Sequence, residues 1–204
     1  MFDNLKRRLN RSTPDQEGRV PPGQYVTEKF PVLHYGNVPH YSDLEKTWDL
    51  RVWGELEAPA RFDFNQFRSL PTMRITTDIH CVTRWSKLDT DWEGVQFKEF
   101  LRHIPPLKPE AAFVLAHCDL GFTANIPLDV LMDENVLLAY KYDGAELTPD
   151  HGFPLRLLVP SKYFWKSAKW LRGLEFLSQD KMGFWERYGY SNHADPWKEE
   201  RYAE

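Results

Sequence analysis

The sequence predicts a single mixed α+β domain, on three observations. Strand-like segments outnumber helical ones along the chain. They do not alternate with the long helical patterns that a doubly wound parallel sheet requires. Finally, 204 residues with 42% hydrophobic and 15% aromatic side chains suit one core of ordinary domain size. That much apolar surface offsets the ordering entropy of a domain and excludes a disordered acidic tail.

Residues 1–24 are polar and contain "PPGQ", which predicts a flexible N-terminal arm. The domain is expected over residues 25–180, beginning at "YVTEKFPVLHYGNVP". In "WDLRVWGEL" the residues Trp48, Leu50 and Val52 alternate with Asp49 and Arg51, which predicts a half-buried strand closed by a turn at Gly54. "RFDFNQFRSLP" spaces Phe64, Phe67 and Leu70 as a short helix ended by Pro71. "TMRITTDIHCV" is rich in β-formers and delivers Cys81 at a strand end. "WEGVQFKEFLRHI" places Val95, Phe97, Phe100, Leu101 and Ile104 partly at helical spacing, which predicts a second helix before "PPLKP". "AAFVLAHCDLGFTANIP" reads as two strands around a loop, and "NVLLAYKYDGAEL" as a hairpin turning at Asp143-Gly144. "PLRLLVP" and "AKWLRGLEFL" supply the last strands. The aromatic segment 181–204, with Trp185, Tyr188, Tyr190 and Trp197, is expected to pack back on the domain as a docking stripe.

A net charge of −4 gives no general attraction to phosphate backbones or anionic lipid, which argues against a nucleic-acid partner. The sequence holds no apolar run of membrane-span length, and "KRRLNRSTPD" continues polar where a signal would turn apolar. The expected compartment is therefore the cytoplasm, where the two cysteines stay reduced. None of the patterns GxGxxG, P-loop, HExxH, GxSxG or CxxC occurs, and the seven histidines are scattered.

Two stretches carry chemistry. Cys81 in "TTDIHCVTRWS" is a core residue, a nucleophile or a metal ligand; beside His80 and Arg84 it has the electropositive surroundings that favour a thiolate, a soft metal ligand. Cys118 reads as an inert core thiol. The second stretch, residues 150–176, gathers Arg156, Lys162, Lys166, Lys169 and Arg172 among Ser161, Ser167 and aromatic residues, the composition of an anion pocket inside an acidic protein.

"HGFPLRLLVP" followed by "KSAKWL" resembles the signature of the sulfite-oxidase-type molybdopterin-binding domain, and "IPLDVLMDENVLLAYKYDGAELTPDHGFP" resembles the segment preceding it. "HCVTRWS" stands at that family's metal-binding cysteine, so the likeness spans roughly residues 45–178. The resemblance implies an α+β mixed-sheet fold that binds molybdopterin and molybdenum, with Cys81 as the metal ligand. It places the cofactor at His151, Arg156 and Lys169, with Ser161, Lys166 and Ser167 as helpers, and puts Arg84 and His80 beside the catalytic cysteine. It implies two-electron oxygen-atom transfer on a small sulfur or nitrogen oxo compound, with electrons exchanged with a separate partner. "CVTRWS" resembles the protein-methionine-sulfoxide reductase branch more than the sulfite oxidases, which carry Ala-Gly-Asn-Arg after the cysteine. The reductase direction is favoured; Phe122 in "GFTANIP" stands where the catalytic tyrosine of that family is expected, which argues against sulfite oxidation and also motivates a competing expectation. The competing expectation is a non-catalytic molybdopterin- or anion-binding module of the same fold.

Overall fold

The computed structural model describes residues 17–203. Eleven strands form two sheets, with helices of only four or five residues between them. The elements in chain order are β1 (Tyr25–Val26), α1 (Leu44–Thr47), β2 (Asp49–Gly54), β3 (Ala60–Asp63), α2 (Phe64–Arg68), β4 (Met73–His80), β5 (Trp85–Gln96), α3 (Phe97–Phe100), β6 (Phe113–Cys118), β7 (Thr123–Pro127), α4 (Leu128–Leu131), β8 (Leu137–Tyr142), β9 (Ala145–Glu146), β10 (Arg156–Leu158), β11 (Leu171–Leu177) and α5 (Phe184–Arg187). The mixed α+β class is as expected.

The first sheet runs β1-β5-β8-β10, with β4 also paired to β5 and β9 to β8; the second runs β3-β2-β11-β6-β7. Both are mixed: β1 lies parallel to β5 and β11 parallel to β2, while the other pairs are antiparallel. One core cluster joins Val95, Leu138 and Leu157 of the first sheet to Leu50, Val114 and Leu174 of the second, so the main core lies between the sheets. A second cluster, around Ile79, Cys81, Trp85, Trp92 and Leu158, involves strands of the first sheet only. Gly94 permits the close pairing of β5 with β8, since a Cβ there would stand 2.3 Å from the Leu138 carbonyl oxygen.

The short helix at Phe64 has a full capping box. The Asp63 carboxylate accepts from the Gln66 amide, and the Gln66 side chain accepts from the Asp63 amide. The second expected helix is mostly strand. Residues 92–96 complete the twelve-residue β5, and only Phe97–Phe100 and a 3-10 turn at Leu101–His103 are helical. Val95 and Phe97 are both buried two positions apart, a strand spacing that the following helical turn overlays. Residues 17–24 lie against the domain: Arg19 pairs with Asp78 at 2.7 Å and Gln24 is buried. Residues 1–16 of the expected arm are outside the described residues. Among the described residues no helix is long and apolar enough to cross a membrane.

Candidate functional site

The antiparallel pair β4–β5 turns over residues 81–84 and holds Cys81 at its bend. The Cys81 amide donates to the Trp85 carbonyl at 2.8 Å, and the Arg84 amide donates back to the Cys81 carbonyl at 3.0 Å. Arg84 adopts a left-handed φ of 77°, which only a firmly held turn sustains in a non-glycine residue. The Cys81 Sγ accepts a hydrogen bond from Thr83 Oγ1 at 3.1 Å.

The other half of the site comes from the crossing between sheets. After a 3-10 turn at Pro149–His151 the chain enters β10 at Arg156, then crosses through residues 159–170 to β11. Gly152, at φ 109°, packs so closely that a Cβ would meet the Cβ atoms of both Arg156 and Lys169 at 3.1 Å, and so it brings the two cations together. The Arg156 guanidinium donates to the carbonyls of His151 at 2.8 Å and Ser167 at 2.7 Å, with the Phe164 ring 4.4 Å from its carbon. It is 1% exposed, and among the described residues no carboxylate pairs with it; burial lowers its pKa to about 9. The Lys169 Nζ donates to the carbonyls of Leu33 and Asp150 at 2.8 and 2.7 Å, and burial, with Arg156 alongside, lowers it to about 7. His151 stacks on Phe30 with ring centres 3.9 Å apart, and burial followed by the neighbouring cations keeps it neutral, at about 4.

These parts enclose a cavity of about 290 Å³, whose lining includes Cys81, His151, Arg156, Ser167 and Lys169. Much of its remaining wall is aromatic, with Asp119 adding a carboxylate to the lining. Tyr35, Phe122, Phe184, Trp185, Tyr190 and Trp165 form a chain of rings spaced 5.0 to 5.9 Å, and Leu33, Tyr35 and Leu120 stand exposed around it. Leu120 projects from a left-handed φ of 61°, an apolar side chain on strained backbone where it contacts solvent.

Four expected site residues are placed elsewhere. His80 precedes Cys81 and so points to the opposite face; its Nδ1 lies 2.8 Å from Ser86 Oγ, and burial lowers its pKa to about 4. Ser161 is exposed and lines, with His80, a separate open cleft. Lys166 is buried in an ion pair with Glu186 at 2.6 Å and donates to the backbone and side-chain oxygens of Asn125. Arg84 is exposed and takes no part in the cavity lining. The electropositive setting expected for Cys81 is therefore corrected. His80 is neutral, Arg84 points outward, and burial pushes the Cys81 thiol up, against the smaller opposing effects of Thr83 and Arg201. Arg172, from the same basic stretch, pairs with Asp49 at 2.6 Å. Cys118 lies in the main core, as an inert thiol would.

The sequence reading passed over Tyr190 and Thr83. Tyr190, expected in a docking stripe, lines the cavity together with Cys81. Thr83 carried a signal, a hydroxyl two positions beyond a cysteine at a turn.

Residues 35–185 match the family model of the oxidoreductase molybdopterin-binding domain. The chain is 48% identical over 189 residues to an uncharacterized oxidoreductase of Bacillus subtilis (strain 168), covering 93% of this chain and 94% of the relative. It is 26% identical over 179 residues to a putative protein-methionine-sulfoxide reductase subunit of Azospira oryzae (strain ATCC BAA-33 / DSM 13638 / PS), covering 87% and 68%. To the sulfite oxidase of Arabidopsis thaliana it is 25% identical over 202 residues, covering 81% of this chain and 51% of that protein. Among solved structures the sulfane dehydrogenase SoxCD from Paracoccus pantotrophus shares the fold with a TM-score of 0.65 at 22% identity, over 76% of this chain and 43% of that one.

Proposed function

The chain belongs to the oxidoreductase molybdopterin-binding domain family, whose cofactor is a pterin carrying molybdenum, and from that premise we propose that it moves an oxygen atom from a small neutral sulfur or nitrogen oxo compound. The observation that carries this reading is one cavity holding the Cys81 thiol and, in the same lining, the buried Arg156 with no carboxylate against it. A buried guanidinium without an anion is costly, and a phosphate or other anionic group supplies the missing partner. Among the described residues no group of three or more His, Cys, Asp or Glu is placed to cage a metal, so a metal at Cys81 takes its other ligands from a bound group. The residues present fit the cofactor on both counts.

In this reading Cys81 ligates the metal as a thiolate, and Arg156, Lys169 and His151 hold the pterin with its phosphate, backed by Ser167, whose carbonyl orients Arg156. When bound, the group supplies a metal whose oxidation state changes by two, matched to the loss of one oxygen atom by substrate. Overall, an oxo compound, two electrons and two protons give the reduced compound and water. Tyr190 holds a proton at the cavity wall. Burial, with Tyr202 and Cys81 nearby, keeps its hydroxyl protonated above its ordinary range, so its O–H is available to a substrate oxygen. This replaces the hydroxyl that Phe122 lacks.

The aromatic wall and the exposed Leu33 and Leu120 favour an apolar, uncharged substrate over a dianion such as sulfite, because in this reading Arg156 and Lys169 are taken up by the anionic group of the cofactor. The reductase direction and the separate electron donor are supported by the Azospira relative, named as a putative protein-methionine-sulfoxide reductase subunit. The test is protein produced in a host that makes the cofactor. About one molybdenum and one pterin per chain are expected from one site, together with dye-coupled reduction of an aryl methyl sulfoxide and no oxidation of sulfite. Protein without pterin, or turnover of sulfite alone, overturns the reading.

A further inference from the structure

The backbone of the cysteine turn is held from outside by two distant side chains. Gln24 Nε2 donates to the Cys81 carbonyl at 3.0 Å, and Arg201 Nη1 donates to the Val82 carbonyl at 2.7 Å. Both side chains belong to residues only 6% exposed, and they lie 57 and 119 positions from the carbonyls they bind. Next to Gln24, the Tyr25 amide donates to the Arg84 carbonyl at 2.8 Å. The turn itself contributes little packing: Thr83 and Arg84 are exposed, and Arg84 is in the left-handed region.

Arg201 is an expensive way to hold a turn. Its guanidinium lies 4.9 Å from the centre of the Tyr163 ring, its Nε has no partner, and the nearest carboxylate, Glu199, is 3.5 Å away with its side chain 46% exposed. A buried arginine so weakly neutralised adds little stability, and a chain keeps one where a fixed geometry is needed. The geometry it fixes is one residue from Cys81. From this arrangement we infer that Arg201, assisted by Gln24, is a positioning residue that sets the direction of the Cys81 Sγ into the cavity. The inference rests on the proposal that Cys81 is the metal ligand; the clamp itself is tested without it.

The full chain is compared with Arg201→Met, Arg201→Lys and Gln24→Leu. Amide hydrogen exchange of a peptide covering residues 81–85 is measured first, against one from β6 as a control. Loss of a charge-assisted hydrogen bond raises exchange at the turn roughly ten- to a hundredfold in Arg201→Met, and loss of the neutral bond roughly fivefold in Gln24→Leu, with β6 unchanged. In cofactor-loaded protein the Mo(V) spectrum shifts or broadens in Arg201→Met, kcat falls about tenfold or more with KM within about twofold, and Arg201→Lys, which still donates to the Val82 carbonyl, recovers most of both. Unchanged exchange at 81–85, or a normal Mo(V) spectrum in Arg201→Met despite raised exchange, overturns the inference. If Arg201→Met does not fold, the Gln24→Leu comparison decides by the same two readouts. Wild-type protein lacking molybdenum removes the functional proposal and leaves the exchange result to judge the clamp.

Discussion

In the proposed reading Arg156 holds the cofactor and Cys81 ligates its metal. Truncating one partner of a buried charged hydrogen-bonded pair costs about 2–5 kcal/mol, a loss of affinity of roughly thirty- to several-thousandfold. Arg156→Ala and Lys169→Ala are therefore expected to yield largely pterin-free protein, whereas Cys81→Ser retains pterin and loses activity; fluorescence of extracted pterin and metal analysis distinguish the two. Lys169 also sets a pH window. Its folded pKa is lowered from 10.5 to about 7 by burial, and an anion beside it raises that value, so binding takes up a proton. Pterin affinity is full below about pH 7 and declines as the pH rises through it; Lys169→Arg, which stays charged, flattens the profile in equilibrium dialysis. Cys81 at a strand end and the basic run over residues 150–176 stood out in the sequence as candidates, whereas the choice of Arg156 and Lys169 within that run came from the family resemblance. His80 was misplaced although the period of two along β4 already puts it on the face opposite Cys81. Ser161 and Lys166 carried no such signal, since the crossing from β10 to β11 is irregular and spacing there says nothing about facing.

Lys166 instead links the β10–β11 crossing to α5. Glu186, in that helix, accepts from both Lys166 Nζ and Trp165 Nε1. Removing the lysine alone strands a buried carboxylate, so Lys166→Met is expected to destabilise the protein by about 3–5 kcal/mol, while Lys166→Met with Glu186→Leu recovers most of the loss. Urea unfolding of the single and double variants measures it; an additive double variant would show that the two charges do not act as a pair. At this scale the strands read from the sequence were β2, β4, β6, β7, β8, β10 and β11, with β9 as the return arm of the Asp143-Gly144 hairpin. The long β5 was harder to read, because Lys87, Asp89 and Asp91 crowd its first half and the short helix after Phe97 imposes its own spacing on the second. The Asp143-Gly144 turn was read correctly because both residues take the positive φ that this hairpin demands.

Across the whole molecule, the two sheets share one core and the site lies along the segments that pass between them, so composition and strand count carried the fold class while sheet order did not follow from either. Pairings such as β11 with β2, 123 positions apart at Arg172 and Asp49, leave no local trace in the sequence. The clamp on the cysteine turn is a further case of long-range pairing, with Arg201 119 positions from the carbonyl it binds, and it orders events in time. While the chain is being made, residues 73–96 can pair as a hairpin soon after they emerge, but the turn between them lacks one of its two outer supports until residue 201 has left the ribosome. The turn is thus closed on both sides only after residue 201 has been made, although its cysteine is synthesised early, and a chain that stops short of it presents a more loosely held thiol.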